Sequence, residues 1–445
     1  MASGDKPMTA PFDVTTIDRL AKQLREPAWL TELRRQALAR HAELPWPHPS
    51  DDIWRRTDVT LLDPARGFAP AAPELLTKVA LSDAQLASCT RPLGDEQLVA
   101  RVNGAWLTEA RPDPITVEEL QAAAHAHPEP VRRILEADGF TEAEQKLTSL
   151  NAAFHHDGLV VRVPAHFSGT RPLRLVRVFA VPPQQAVFPL TVITIGAGSA
   201  VTLIDESISV SDAPGPGAPH LVNGRIEIVL EQDSSLHYVR LQRLDLRARE
   251  FLLQRATLAQ GASLTMTNIT LGAALSKAHV VTKLAGSGAT AKLYGFVFGH
   301  GAQHVDQHTL QDHQAPHTVS DLQFRAALQD ESRMVYTGLI RIAKAAQQTN
   351  AYQANHNLLL SRTARAETIP MLEILADDVQ CKHGASTGPI DEEQAFYLMS
   401  RGIPRERAQR LIVMGFIEPI IQQVAFPPLQ ERLRREIEGS LSDGG

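Results

Sequence analysis

LAQGASLTMTNITLG, residues 258–272, contains the pattern that decides the fold: an apolar segment ends, a tight turn passes through Gly261, and a β-rich segment follows at once. Turns of the same kind, each with a small or acidic residue at its centre, occur at Gly198, Asp233, Gly288 and Asp330. Short segments rich in valine, isoleucine, leucine and threonine connect them. The recurrence of one turn with little else between its copies indicates an array of structural repeats.

The intervals between these turn centres are 35, 28, 27 and 42 residues. Helical patterns are nearly absent from about residue 158 to 380, which argues against alternating strands and helices. A β-sandwich built from hairpins fits the strand spacing as well. The repeated turn favours a β-solenoid, whose coils bury their faces against their neighbours and whose ends need covers. Helices on both sides of the β region are expected to provide those covers.

Helical patterns define the two flanking regions. The sequence predicts a mainly helical domain at 1–155, a β-solenoid at 156–383 and a helical domain at 384–445. Thr141 and Glu144 have the spacing of a helix-starting capping box, and Asp391 and Gly402 fit the start and end of a later helix. Four histidines in or near the first group of helices are expected to be surface or helix-end residues, namely His125, His127, His155 and His156.

Composition excludes several classes of protein. Of 445 residues, 43% are hydrophobic and 21% are charged, and the net charge of −6 gives no indication of nucleic-acid binding. The first residues lack a signal-peptide pattern, and no apolar run reaches the length of a membrane span, so neither membrane nor export is expected and the cytoplasm is predicted. Two cysteines, Cys89 and Cys381, are too few for a four-cysteine metal or cluster site within one chain.

The segment from His300 to His317 holds five histidines at spacings of four, four, five and four. On a helix the first three would form a metal-binding stripe, and a stand-alone metal protein using His304 and His308 is one hypothesis. A four-residue step also keeps one face of a strand, whose period is two. Because the run lies within the β region, the sequence favours a polar strand with His300, His304 and His308 on one side.

The usual motifs of enzyme active sites are absent. There is no GxxxxGK[ST], HExxH or GxSxG, and IGAGSA at 195–200 leads into a strand rather than a helix. We therefore assign no catalytic residue. A β-helix carbohydrate-active enzyme is the alternative from another class, but aromatic residues make up only 5% of the chain and no carboxylate pair stands out.

The clearest local cluster of chemical groups is ADDVQCKHGASTG, residues 376–388. Cys381 and His383 are two positions apart, which places both side chains on one face of an extended segment. A thiolate beside an imidazole suits a soft metal, and Asp377 and Asp378 add oxygen ligands. Two ligands do not close a site, so a metal here requires a partner chain. The alternative is a buried cysteine beside a hydrogen-bonded histidine.

The segment Glu367–Phe416 resembles the C-terminal signature of the SufB/SufD family of iron–sulfur cluster assembly scaffolds. It contains P-x-LEI-x-ADDV, then C-x-HGA, then DEE-x-x-FYL-x-SRGI. The resemblance is dense over about 290–420. It implies a right-handed parallel β-helix between helical N- and C-terminal domains. The small number of cysteines, the length and the start LPWPHPSDDIW are similar to SufD-like members, and a SufB-like chain is the alternative.

The resemblance also implies partners and site residues. Family members of this type pair with SufB through their β-helices and dock the ATPase SufC through C-terminal helices, without being enzymes themselves. Cys381 and His383 match the position implicated in forming a transient cluster at the SufB interface, with His383 as a shared metal ligand. A flavin in the complex and a homodimer of the isolated chain are left open. The region that matches the SufC-docking segment includes Phe396, Leu398, Arg401, Ile403, Leu411 and Phe416.

Overall fold

The computed structural model describes residues 12–71, 81–108, 113–137, 141–210 and 217–442. Its centre is a parallel β-solenoid of about eight turns, with helices at both ends of the chain. From residue 189 onward, parallel pairing joins each long strand to the strand two places further along the chain, so two sheets stack face to face. The predicted parallel solenoid is confirmed, and the β-sandwich of hairpins is wrong.

The two sheets alternate along the chain. The first sheet contains β4 (Thr116–Glu119), β5 (Asp157–Val163), β8 (Pro189–Ile195), β10 (His220–Leu230), β12 (Ala248–Leu258), β14 (Leu275–Leu284), β16 (His304–His313), β18 (Arg333–Ile342) and β20 (Arg365–Ile374), with the short β1 (Ala69–Pro70) and β7 (Gln185–Val187) beside β10. The second contains β3 (Ala105–Trp106), β2 (Gln97–Val102), β6 (Leu173–Phe179), β9 (Ala200–Ser209), β11 (Ser235–Arg243), β13 (Ser263–Thr270), β15 (Thr290–Gly299), β17 (Val319–Leu328), β19 (Thr349–Leu359) and β21 (Val379–Pro389).

The repeated turn has a left-handed backbone at its centre. The central residues at one edge of the solenoid have φ between 55° and 72°, and they are Gly198, Asp233, Gly261, Gly288, His317 and Gln348. Glycine and, less readily, aspartate adopt this conformation, which explains why those residues recur. From Gly198 to His317, each central residue donates its backbone N–H to the turn of the next coil at 2.9–3.2 Å. The turns therefore form a ladder of their own.

The irregular interval of 42 residues in the sequence has a structural reason. Asp330 lies at the opposite edge, between β17 and β18, where Gly301 occupies the equivalent turn one coil earlier. The turns that follow Gly288 at its own edge are centred on His317 and Gln348, which give intervals of 29 and 31 residues. The prediction placed two different rows of turns in one series because both rows use glycine and aspartate.

The N-terminal helices pack mainly on the outer face of the first sheet, except the helix Asp83–Thr90, which packs against β6 and β2 of the second sheet. They are α1 (Val14–Leu24), α2 (Ala28–Glu43), α3 (Asp83–Thr90), α4 (Leu120–Ala126), α5 (Pro128–Leu135) and α6 (Glu142–Phe154). The capping box of Thr141 and Glu144 is confirmed at the start of α6. Leu147, Leu150 and Phe154 of that helix join a buried cluster with Phe251 and Leu253 of the sheet.

The four histidines of this region fall into two groups. His125 and His127 are exposed, as predicted. His155 is the C-cap residue of α6 and so is a helix-end residue as predicted. The surface prediction is wrong for His155 and His156, because both are buried where α6 meets the sheet.

The C-terminal region contains three described helices, of which the last two pack on the outer face of the second sheet. They are α7 (Glu392–Ser400), α8 (Arg405–Ile421) and α9 (Pro427–Ser442). Asp391 caps α7, and Gly402 follows it with φ of 84°, as predicted. Ile417, Ile420 and other apolar residues of α8 and α9 pack against the flank of the solenoid. The expectation that helices cover both solenoid ends is therefore wrong for this end.

A buried ion-pair network fastens α9 to the flank. The Glu206 carboxylate of β9 pairs with Arg174 at 2.7 Å, with Arg243 at 3.0 Å and with Arg432 of α9. Burial favours the protonated carboxyl, but the charges of Arg432 and Arg174 outweigh it and lower the pKa of Glu206 to about 2.

Candidate functional site

The last rung of the solenoid, formed by β20 and β21, has no covering element among the described residues. These two strands end their sheets, so each presents one unpaired edge. The side chains of Leu372 and Ile374 on β20 face the inside of the solenoid, in register with Ile340 and Ile342 on β18. Ile340 and Ile342, one coil earlier, are fully buried. Leu372 and Ile374, on the last coil, are each about 40% exposed. The solenoid therefore ends in an open apolar surface, which we call the open end.

Cys381 and His383 lie on this open end, in β21. They pair in register with Ala351 and Gln353, whose side chains are buried. The predicted placement of both side chains on one face is confirmed, because strand alternation fixes them in neighbouring inward rows. His383 is exposed, and Cys381 is half-buried against the cluster around Ile340 and Ala351. Burial raises the pKa of the Cys381 thiol.

The acidic residues of the same segment are exposed in the turn before β21. The backbone carbonyl of Asp378 accepts a hydrogen bond from Gln348 N–H at 2.6 Å, which continues the ladder of turns. In the part of the chain that the structure describes, Cys381, His383, Asp377 and Asp378 do not gather into a three-ligand metal group.

The residues that match the SufC-docking segment divide into two groups. Phe396 and Leu411 are exposed, with 71% and 46% of their surfaces accessible. Phe416 instead packs beside the solenoid flank, where the Arg325 guanidinium lies 5.2 Å from its ring. Arg401 is exposed and lies over the Tyr397 ring, and Leu398 and Ile403 are half-buried. The large apolar residues Phe396, Tyr397, Met399 and Leu411 are all exposed on α7 and α8, and we call this group the C-terminal apolar patch.

The histidine run does not form one polar face. His300 lies in a turn, and β16 begins at His304 and ends at His313. His317 is the centre of a left-handed turn. The prediction of a strand is confirmed for His304 and His308, but the one-sided row with His300 is wrong because the turn at 300–303 interrupts it.

His308 is covered by this chain's own N-terminal region. The sequence did not predict this contact. The ring centroid of His308 lies 5.0 Å from that of His279 on the neighbouring strand β14. His279 Nδ1 lies 3.0 Å from the Glu144 carboxylate at the start of α6. The three side chains are buried, and one ligand atom from each lies within 4.8 Å of the others. Sequence separation hid this cluster, because Glu144 and His279 are 135 positions apart.

Comparison with known proteins identifies the family. The family model for the SufBD core domain of the SUF system for iron–sulfur cluster assembly matches residues 179–416. The model for the SufBD N-terminal region matches residues 18–175. The chain belongs to the SufBD family. Within the described residues, no helix has the length and apolar character that a membrane crossing requires.

The similar proteins place the chain on the SufD side of the family. It is 26% identical to the iron–sulfur cluster assembly protein SufD of Bacillus subtilis, over 96% of this chain and 97% of that protein. It is 30% identical to SufD of Escherichia coli over 56% and 57% of the two chains. A SufBD family protein of Synechocystis is 27% identical over 96% of both. The chain is therefore SufD-like and has a role in iron–sulfur cluster assembly.

Proposed function

We propose that this chain is the non-catalytic, SufD-like subunit of a SufBCD scaffold, and that it pairs with SufB through the open end. The observation that supports this most is the last rung, which exposes two strand edges and apolar rows beside Cys381 and His383. A solenoid end of this kind needs a cover, and an added strand from another chain satisfies both the edge and the apolar surface. Membership of an assembly family favours this role over a carbohydrate-active enzyme.

The proposed site forms the nascent cluster between the two chains. Cys381 and His383 offer one thiol and one imidazole, which are ligands that iron accepts. The only other cysteine of the sequence, Cys89, is buried under β6 and is remote in the fold. SufB therefore supplies the remaining ligands, and the cluster is cargo that leaves the complex. A flavin in the complex stays a separate proposal, for which we assign no residue.

SufC is proposed to dock on the C-terminal apolar patch. Phe396, Tyr397 and Leu411 are large, exposed and close to charged residues such as Arg401, a composition typical of interface centres. Because α8 and α9 pack directly on the solenoid flank, a force on the patch reaches the coils that end in β21. ATP hydrolysis by SufC would then shift the complex toward a state in which the SufB interface opens. We propose the cytoplasm as the compartment.

The test uses purified SufB and SufC with three forms of this chain: wild type, His383→Ala and Lys382→Ala. Lys382 is the matched control, because it neighbours His383 on β21 and points to the opposite face. All three forms should co-purify with SufB and SufC. Only His383→Ala should lose cluster formation, measured by iron and sulfide content and visible absorption. Normal cluster assembly by His383→Ala within an intact complex would contradict the proposed site.

The open end also offers a surface for a second copy of this chain. Sedimentation of the isolated chain, alone and with increasing SufB, separates the two occupants. We expect SufB to displace any homodimer, because both would use β20 and β21. A stable homodimer that persists while SufB binds would show that SufB uses another surface and would contradict the proposal.

A further inference from the structure

A buried group of two imidazoles and one carboxylate joins α6 to two successive coils, outside the proposed cluster interface. His279 and His308 are register neighbours on β14 and β16, so their Cα atoms are one strand spacing apart. Glu144 reaches them from the first turn of α6. The fold therefore brings three potential ligands together from three separate elements.

The hydrogen bonds of this group are incomplete. Among the described residues, neither ring nitrogen of His308 has a hydrogen-bond partner, and Nε2 of His279 has none either. Both side chains are at least 96% buried. Buried polar groups are nearly always satisfied, so these three nitrogens on two facing histidines are open to a further ligand.

The charged side chains in and around the group are paired or hydrogen-bonded within the chain. Lys277 and Asp306, two positions before the histidines on the same strands, neutralise each other through an ion pair at 2.7 Å. The Glu144 carboxylate accepts hydrogen bonds from the backbone N–H and the hydroxyl of Thr141 through Oε2, at 2.8 and 3.0 Å, and its Oε1 lies 3.0 Å from His279 Nδ1. The group therefore combines an anchored carboxylate with three ring nitrogens that have no hydrogen-bond partner among the described residues.

We propose that Glu144, His279 and His308 bind a divalent transition-metal ion, with Zn²⁺ as the preferred occupant. Two imidazoles and one carboxylate are a known ligand set for Zn²⁺ and also for Fe²⁺. In the usual stability order of divalent metal complexes, Zn²⁺ binds such a site more tightly than Fe²⁺. The ion would fasten α6, and with it the N-terminal helices, to two coils of the solenoid. This site is independent of the proposed cluster interface.

The first experiment measures metal binding by the full, tag-free chain after it has been stripped with a chelator. Co²⁺ is the spectroscopic probe, because its visible d–d absorption is strong in four- or five-coordinate sites, and Zn²⁺ and anaerobic Fe²⁺ are then tested as competitors. We expect one Co²⁺ per chain and displacement by Zn²⁺ at lower concentration than by Fe²⁺. A folded chain that binds none of the three ions would overturn the proposal.

The second experiment assigns the ligands. Glu144→Gln removes the carboxylate charge but keeps the capping box, in which glutamine replaces glutamate. Glu144→Gln and His308→Ala should each weaken Co²⁺ binding by more than the about 10- to 100-fold that outer-shell changes cause. His304→Ala, four positions away on β16, and His383→Ala should bind like wild type. Unchanged binding in both ligand variants would place the ion elsewhere and overturn the assignment.

A third readout compares Zn²⁺-dependent shifts, so it does not depend on how stable each form of the chain is without the ion. In the wild-type chain, Zn²⁺ should raise the midpoint of thermal unfolding and slow proteolysis of the segment that contains α6, because the ion joins that helix to the sheet. Glu144→Gln should show a smaller Zn²⁺-dependent shift, whatever its own midpoint is. A Zn²⁺-dependent shift of equal size in wild type and Glu144→Gln would contradict the site.

Discussion

The two ends of the solenoid differ in whether the chain covers the inward-facing apolar side chains of the outermost strands. At the N-terminal end, β3 and β4 run antiparallel to their neighbours, and Val99, Ile115 and Val117 are buried over the first rung. Trp106 packs against the same cluster under the Arg101 guanidinium. At the C-terminal end the strands β20 and β21 stop with their inward rows exposed, and the following helices turn to the flank. The comparison indicates that the chain covers one end itself and leaves the other for a partner.

The largest expected effect is on stability, and it compares two inward-facing residues that are register neighbours on successive coils, Ile342 on β18 and Ile374 on β20. Ile342→Asp places a charge in the fully buried row and should lower the free energy of unfolding by more than about 4 kcal/mol. Ile374→Asp, its register neighbour on the last rung, should leave chain stability within about 1 kcal/mol of wild type. Only the second variant should fold well and fail to pair with SufB. Denaturant unfolding and co-purification check both results, and wild-type pairing by Ile374→Asp would remove the open end from the interface.

The next largest effect tests how the C-terminal helices are held on the flank. Glu206→Gln leaves Arg174, Arg243 and Arg432 without their shared carboxylate and should cost about 3 kcal/mol of stability. The surface exchange Glu431→Gln is the control and should cost less than about 0.5 kcal/mol, because its ion pair is exposed.

The same network has a predictable dependence on pH. The folded-state pKa of Glu206 is about 2, below the value of about 4.5 in the unfolded chain, so its contribution is fully present above pH 4.5. That contribution is lost as the pH falls from about 4.5 through about 2. The stability difference between wild type and Glu206→Gln should therefore shrink on acidification. Unfolding curves between pH 7 and pH 3 measure it, and a difference that grows toward pH 3 would contradict the assignment.

A smaller effect compares two glycines of one turn. A Cβ at Gly286 would lie 2.0 Å from the backbone nitrogen of Gln260 in the previous coil, so Gly286→Ala should cost about 2 kcal/mol. Gly288 has open space around it but a φ of 72°, so Gly288→Ala should cost only about 1 kcal/mol. Thermal unfolding gives the order. Equal costs would indicate that the coils are not packed as closely as the turn ladder requires.

The smallest expected effect concerns the C-terminal apolar patch. Phe396→Ala should weaken SufC binding about tenfold, or about 1.4 kcal/mol, and leave the unfolding midpoint unchanged, because the side chain is exposed. Phe416→Ala is the contrasting variant and should lower stability, because that ring packs beside the flank. Titration of SufC, together with thermal unfolding, separates the two. A loss of stability in Phe396→Ala would show that the patch is core rather than surface.

Sequence periodicity predicted the solenoid because its turns need residues that tolerate a left-handed backbone. The same reasoning failed at His317 and Gln348, which adopt that conformation without being glycine or aspartate. Sequence periodicity also correctly predicted that Cys381 and His383 lie on one face of a strand, because the side-chain period of a strand is two. These are local properties, which a linear pattern records.

Packing between distant segments could not be predicted in this way. The amphipathic pattern of α8 shows that one face is buried, but not that it meets the flank rather than the end of the solenoid. Strand register alone brings His279 beside His308, and the N-terminal helices then cover them. The burial of His155 and His156 arises similarly, from contacts made after α6 docks on the sheet.

Amide hydrogen exchange of this chain, with and without SufB, tests most directly whether SufB binds the open end. We expect SufB to slow exchange in β20 and β21, whose outer edges are unpaired, and to leave 97–108 and 113–119 at the covered end unchanged. Protection confined to 97–108 and 113–119 or to the N-terminal helices, with β21 unaffected, would contradict this pairing.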